Sequence, residues 1–494
     1  MRCVRIILMT FAGCGVLFCL LSLLSLERII LACLAVAAAS AFMAIPALKR
    51  RLAPFADLTA SQMRVFLVIV VLVSILERVL MVGYFGGDSL AKLNTGDASF
   101  FWRYARAMAD GDFPDVKSWT TVAAYAFCVR VFGRTLLIPI CLNFFLSLVT
   151  ARLVFRFGEV AFGRRTGVCA AALYLLSPSV VLLSLRTASE NFYFVFLAAV
   201  LYFCARWFEC QRLGWLGLSA VAVWLAVWSR GEGILLVPAV LLFVALTFCV
   251  DASRRRSAIL AAGVFLAVVM GGAAVGLTIN HFAHGTHTVF CSNDNYWPRL
   301  IGANVQTDGH IPTGKQLRNL RRRGMLDKQI IKRRYLADHP GDPDGVIRNM
   351  RPQTCPSALI PYIEREINRR WAKMTLGGMV RFVLIKEWLP WCNSYVGHGR
   401  LNEKTSPCLQ LLFGLTNVFV LLAGCRWFCL MIASLWGKRE LSVCVTLQFL
   451  PFVCICGMIC LLALAESNLR YGVCICVLLP FYAAGGALAQ PSRE

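Results

Sequence analysis

Asp97 stands in the segment Asn94-Thr95-Gly96-Asp97-Ala98-Ser99-Phe100, and a carboxylate there has two available roles. A short acidic side chain before an apolar-periodic stretch caps a helix by accepting its first N–H groups. The same carboxylate can serve as a general base that takes the proton of an attacking hydroxyl or amine. The helix that follows would carry Phe101, Tyr104, Ala105 and Met108 on one face, at i, i+3, i+4 and i+7, and end near Gly111. Near the other end of the chain, Glu466-Ser467-Asn468-Leu469-Arg470-Tyr471 offers an arginine whose planar fork matches phosphate oxygens. Arg470 could equally pair with Glu466, four residues earlier.

Other charges lie beside apolar runs. Arg186 and Glu190 are four apart and could pair across a turn. Arg230, in Ser229-Arg230-Gly231-Glu232-Gly233, could pair with Glu232 or hold an anion. Lys386 precedes Trp388 and Trp391, a cation beside two residues that favour a membrane interface. Asp110, Asp112 and Asp115 could supply a second acid or stand as solvated loop residues. His281, His284 and His287 have an His-x-x-His-x-x-His spacing, but Gly285 and Thr286 suggest a loop and no nearby carboxylate completes a metal site, so no metal is expected. No nucleotide-binding glycine motif and no Gly-x-Ser-x-Gly elbow occurs.

These residues must be positioned by helices in a bilayer. The 494 residues are 59% hydrophobic and 15% charged, with mean hydropathy +0.68. A soluble domain carries about 25% charged residues. Continuous apolar runs of span length predict helices rather than barrel strands, which would alternate. About twelve spans are expected, at 5–25, 28–48, 64–86, 135–155, 166–186, 189–206, 213–229, 233–250, 257–280, 409–436, 441–464 and 471–489. The fold class is thus an all-α polytopic membrane protein.

The net charge of +24 sits mainly in short connections such as Lys49-Arg50-Arg51, Arg164-Arg165 and Arg254-Arg255-Arg256. Lys and Arg collect in cytoplasmic loops, which puts both termini inside. Basic residues dispersed over many loops argue against nucleic acid. The organisation reads as a bundle over 1–280 including a first outer loop at 87–134, an outer loop region at 281–408 with amphipathic helices near 315–335 and 357–376, and C-terminal spans over 409–494. Of 22 cysteines, most lie in apolar runs and act as small hydrophobes. Cys291, Cys355, Cys392 and Cys408 fall in the outer region, where disulfides are compatible with an oxidising exterior.

The order and sidedness of these segments resemble GT-C membrane glycosyltransferases, the superfamily of protein O-mannosyltransferases and the bacterial aminoarabinose transferase. Their first outer loop carries an acid, an aromatic and a small-residue helix ending in glycine, matched by Asp97, Tyr104, Ala107 and Gly111. Ala98 departs from the Asp-Glu pair common in that family. The turn with Glu190, the Arg230-Gly231-Glu232 turn, Lys386 and the terminal Glu466, Arg470 and Tyr471 follow the family's order. The resemblance implies a GT-C-like bundle with two large extracytoplasmic loops. It also implies a polyprenyl-phosphate sugar as donor, no cofactor, and inverting transfer to a protein, lipid or glycan acceptor at the outer face of the plasma membrane. Asp97 would be the base. Arg470, with Arg230 and Lys386, would bind phosphate, and Tyr104, Glu190, Glu466 and Tyr471 would support them. A transporter or flippase of lipid-linked saccharides is the alternative, and predicts internal repeats and polar residues at broken helices. A scaffold for envelope enzymes would need no acid at Asp97.

Overall fold

A computed structural model describes residues 2–24, 59–84, 94, 97–112, 118–284, 289, 300, 319–323, 326–347, 357–375, 378, 407–437, 444–464 and 475–488. The helices are α1 (Arg2–Leu24), α2 (Ala60–Tyr84), α3 (Asp97–Ala109), α4 (Trp119–Phe132), α5 (Leu137–Phe162), α6 (Arg164–Leu175), α7 (Pro178–Ser184), α8 (Glu190–Cys210), α9 (Gly214–Ser229), α10 (Leu236–Val250) and α11 (Arg255–His284). Then come α12 (Asp327–Asp338), α13 (Ile360–Ala372), α14 (Pro407–Gly437), α15 (Cys444–Leu464) and α16 (Ile475–Leu488). No strand occurs among the described residues. Five described helices are long and apolar enough to cross a membrane, and a bent pair would make six. The expected span at 28–48 lies outside the described residues, and several other apolar helices are shorter in their described stretches.

Two expectations change. The segment 166–186 is not one helix. It breaks between α6 and α7, which are bent by 54°. Pro178 has no N–H to continue the ladder and disfavours helical geometry at the residue before it. Ser177 accordingly sits at φ −63°, ψ 118°, and Pro178 opens the new helix. The outer loop 87–134 also contains a second helix, α4, which buries Val122, Tyr125 and Ala126. At 14 residues it is too short to have read as a span.

Close packing depends on small residues. A Cβ on Gly158 would lie 2.6 Å from the Gly167 Cα, so α5 and α6 cross backbone to backbone. Trp224 on α9 donates its indole N–H to the Val269 carbonyl on α11 at 2.7 Å. Pro451 interrupts α15, and the Tyr482 hydroxyl bridges the opening. It accepts from the Phe452 N–H and donates to the Gln448 carbonyl, both at 2.8 Å. A hydroxyl inserted there restores backbone hydrogen bonding that lipid cannot supply.

The expected amphipathic helices of the later loop region are α12 and α13. They pack through Ile331, Tyr335, Ile363 and Ile367. Glu366 is buried between Arg334 at 2.7 Å, Arg369 at 3.0 Å and Arg370 at 3.0 Å, and Arg370 also reaches Asp327 at 2.6 Å.

Candidate functional site

The polar groups concentrate where α3 begins, α7 ends, α8 begins and α9 ends. Asp97 is the first residue of α3, as a helix-starting acid should be. The face that follows packs as its spacing predicts. Phe101, Tyr104, Ala105 and Met108 meet Val122, Tyr125 and Ala126 of α4 and Phe192 of α8. That packing places α3 against the bundle. Tyr104 stacks on Phe100, and the Arg103 guanidinium lies over both rings. Gly111 ends the segment at φ +101°, a conformation that favours glycine.

The turn between α7 and α8 is held from three sides. Thr187 donates its backbone N–H to the Asn94 side-chain oxygen at 2.8 Å and its hydroxyl to the Ala98 carbonyl at 2.6 Å. The residue next to Asp97 is thereby pinned to the turn that precedes Glu190. Asn94 in return donates to the Leu185 carbonyl at 3.1 Å. From inside the bundle, Asn143 on α5 donates to the Arg186 carbonyl at 2.8 Å, while its own oxygen accepts from Tyr125 at 2.8 Å. Asn191 donates to the Arg186 carbonyl from the first turn of α8 at 3.1 Å. Ser118 donates to the Ser229 carbonyl at 2.7 Å, which ties the start of α4 to the end of α9.

Glu190 faces Arg230 at 2.6 Å, and both side chains are under 10% exposed. The sequence spacing offered Arg186 as one partner; Arg230, on the next hairpin, is a further one that the spacing did not point to. Arg230 also meets Glu232 at 3.0 Å, as its spacing suggested. The guanidinium therefore has a carboxylate on two sides, and Glu232, a quarter exposed, is the more open of the acids. A phosphate at Arg230 would have to compete with both.

The chain thus brings the backbone at Asp97 together with Glu190 and Arg230. Lys386, Glu466, Arg470 and Tyr471 lie outside the described residues, as do Asp115, His287, Cys291, Cys355 and Cys392. Asp110 is engaged by Arg134 on the surface. His281 is exposed on the last turns of α11, against Phe282. The groups that sequence reading missed are Asn143 and Tyr125. Their signal was available, because a polar residue inside the apolar run 135–155 requires a partner. A separate open groove of about 320 Å³, lined by Phe162, Trp427, Gln448 and Gly485 among others, lies at the opposite helix ends.

A family model described as dolichyl-phosphate-mannose-protein mannosyltransferase matches residues 118–272, from the start of α4 through most of α11. No curated protein matches the chain. Among solved structures, the chain is similar to the archaeal oligosaccharyltransferase AglB from Archaeoglobus fulgidus, solved in complex with an inhibitory peptide and a dolichol-phosphate. Identity is 12%, coverage is 86% of this chain and 50% of that one, and the TM-score is 0.47. The chain therefore spans about half the length of that protein, a likeness too distant to assign a fold. The family match covers under a third of the chain, and it falls on the helices that carry the polar cluster.

Proposed function

We propose that this protein transfers a sugar from a polyprenyl-phosphate donor to an acceptor on the extracytoplasmic side of the plasma membrane, with inversion at the anomeric carbon. Asp97 takes the proton of an acceptor hydroxyl or amine. The freed lone pair attacks the anomeric carbon from the face opposite the phosphate. The bond from that carbon to the phosphate oxygen breaks, and its electron pair leaves with the polyprenyl phosphate. Cations preorganised at the leaving group lower the barrier by meeting the charge as it develops. Arg470 and Lys386 are assigned that role, with Arg230 as a third cation already shared with Glu190 and Glu232. Tyr104, Glu466 and Tyr471 support the pocket. No cofactor is needed, since the phosphate is the leaving group.

The observation that carries this reading is the hydrogen bond from Thr187 to the Ala98 carbonyl, which joins the acid-bearing segment to the turn of Glu190 and Arg230. The family match supports it independently. A carrier of lipid-linked saccharides draws support from one feature, the broken α6–α7 span.

The test uses purified protein and a panel of polyprenyl-phosphate sugars, with and without Asp97→Asn. The variant should lose roughly 100-fold or more in turnover, the scale of general-base catalysis, while donor affinity is kept. Undiminished turnover in Asp97→Asn would remove the base from the scheme. Donor translocation without product would favour the carrier.

A further inference from the structure

Arg78 lies inside the apolar helix α2 and is only 2% exposed. A buried ionisable residue within a membrane span carries a large insertion penalty and marks a functional site unless it is fully paired. Arg78 is hydrogen-bonded on one side only, with the Glu77 carboxylate as its neighbour in sequence and Tyr174 of α6 close enough to interact. Its Nη1 donates to the Ser74 carbonyl at 3.1 Å, to the Ser74 hydroxyl, and to the Leu175 carbonyl at 3.3 Å. Leu175 is the last residue of α6, so the cation caps the helix end that the α6–α7 break exposes. Its Nε and Nη2 find no acceptor, although both are buried. Those two nitrogens form one edge of the guanidinium, with parallel N–H groups. That edge is the arrangement that binds two phosphate oxygens at once. The anchored Nη1 fixes the fork in place.

The surroundings offer a route. The opposite flank of α2 exposes Leu72, Val73, Ile75, Leu76, Val79 and Leu80, an apolar surface suited to lipid. Phe144 of α5 covers the guanidinium at 5.7 Å from its ring centre. Arg78 lies six residues before the end of α2, about 9 Å along its axis, at the same bundle end as Glu190.

We propose that the Nε/Nη2 edge of Arg78 binds the phosphate head of a lipid that enters between α2 and the α5–α7 wall, and that this lipid is the donor. The assignment to the donor rests on the glycosyl-transfer reading; the phosphate site itself does not. A second source of the same chemistry is an ordinary phospholipid headgroup. The experiment therefore measures equilibrium binding to the purified full-length protein of three probes: a polyprenyl phosphate, the prenyl alcohol of equal length, and phosphatidylglycerol. Wild type should prefer the polyprenyl phosphate to the alcohol, and Arg78→Met should weaken that binding about tenfold or more, the scale of a lost charge-assisted bond. Where Arg78→Met does not fold, Arg78→Lys, which keeps charge but not the fork, should weaken it at least about threefold. Unchanged affinity in a folded Arg78 variant overturns the site. Equal binding of phosphatidylglycerol, lost in parallel, overturns the donor assignment and leaves a phospholipid site. Asp97→Asn should bind as wild type does; wild-type protein that shows Arg78-dependent binding but no sugar transfer with any donor would sink the function and spare the site.

Discussion

Glu190 and Arg230 show what a buried charge demands. Removing one member of a buried pair leaves the other unpaired, which costs about 3–5 kcal/mol. Here the two losses are unequal. Arg230→Met removes the cation shared by Glu190 and Glu232, whereas Glu190→Gln leaves Arg230 with Glu232. Arg230→Met should therefore lower stability by about 3 kcal/mol or more and Glu190→Gln by less, with the double variant short of their sum. Thermal unfolding of all four proteins in detergent measures this, and strict additivity would mean that the two groups do not interact. The Arg230–Glu232 contact was legible from a two-residue spacing. The Glu190–Arg230 contact was not, because forty residues and a full helical hairpin separate them.

Helices were legible where period and length agreed. The apolar face of α3 was predicted residue by residue, and it meets the partners that such a face requires. The break at Ser177-Pro178 was present in the sequence, yet the unbroken hydropathy on both sides hid it. Helix α4 was hidden by its length. In the later loop region, α12 and α13 depend on one buried acid. Burial alone would raise the carboxyl pKa of Glu366, but Arg370, Arg334 and Arg369 together hold it below the ordinary glutamate value of 4.5. A folded-state pKa below the unfolded one gives stability that is present above about pH 4.5 and lost as pH falls through the folded value. Docking of α12 on α13 should therefore loosen in acid below that value. Hydrogen exchange in these helices should accelerate there, and Glu366→Gln should show loosened exchange already at neutral pH. Equal protection of both proteins at every pH would assign the docking to the apolar contacts alone.

Across the whole bundle, the two ends differ in chemistry. Arg156, Arg164 and Arg165 lie at the α5–α6 junction, Arg206 and Arg212 at α8–α9, and Arg254, Arg255 and Arg256 at α10–α11. The Asn94, Thr187, Glu190 and Arg230 cluster occupies the other end. The proposed orientation follows from the positive-inside rule, which would turn the cluster outward. In a cysteine-depleted protein, Asp112→Cys should react with a membrane-impermeant maleimide on intact cells, and restored Cys210 only after lysis. The opposite pattern would invert the protein and move the proposed chemistry to the cytoplasm. The resemblance was legible because this alternation survives in the order of charges, while the contact between distant turns required coordinates.

Helix α2 leans on α6 and α7 with one side and exposes apolar side chains on the other. A lipid whose head lodges behind that helix keeps its tail in the surrounding bilayer. On the proposed binding mode, the described residues would hold no ruler for the tail: beyond the first few isoprene units, added length would meet surrounding lipid. Selectivity among such lipids would be written in the head and its nearest carbons, leaving the remainder free to vary with the membrane it came from.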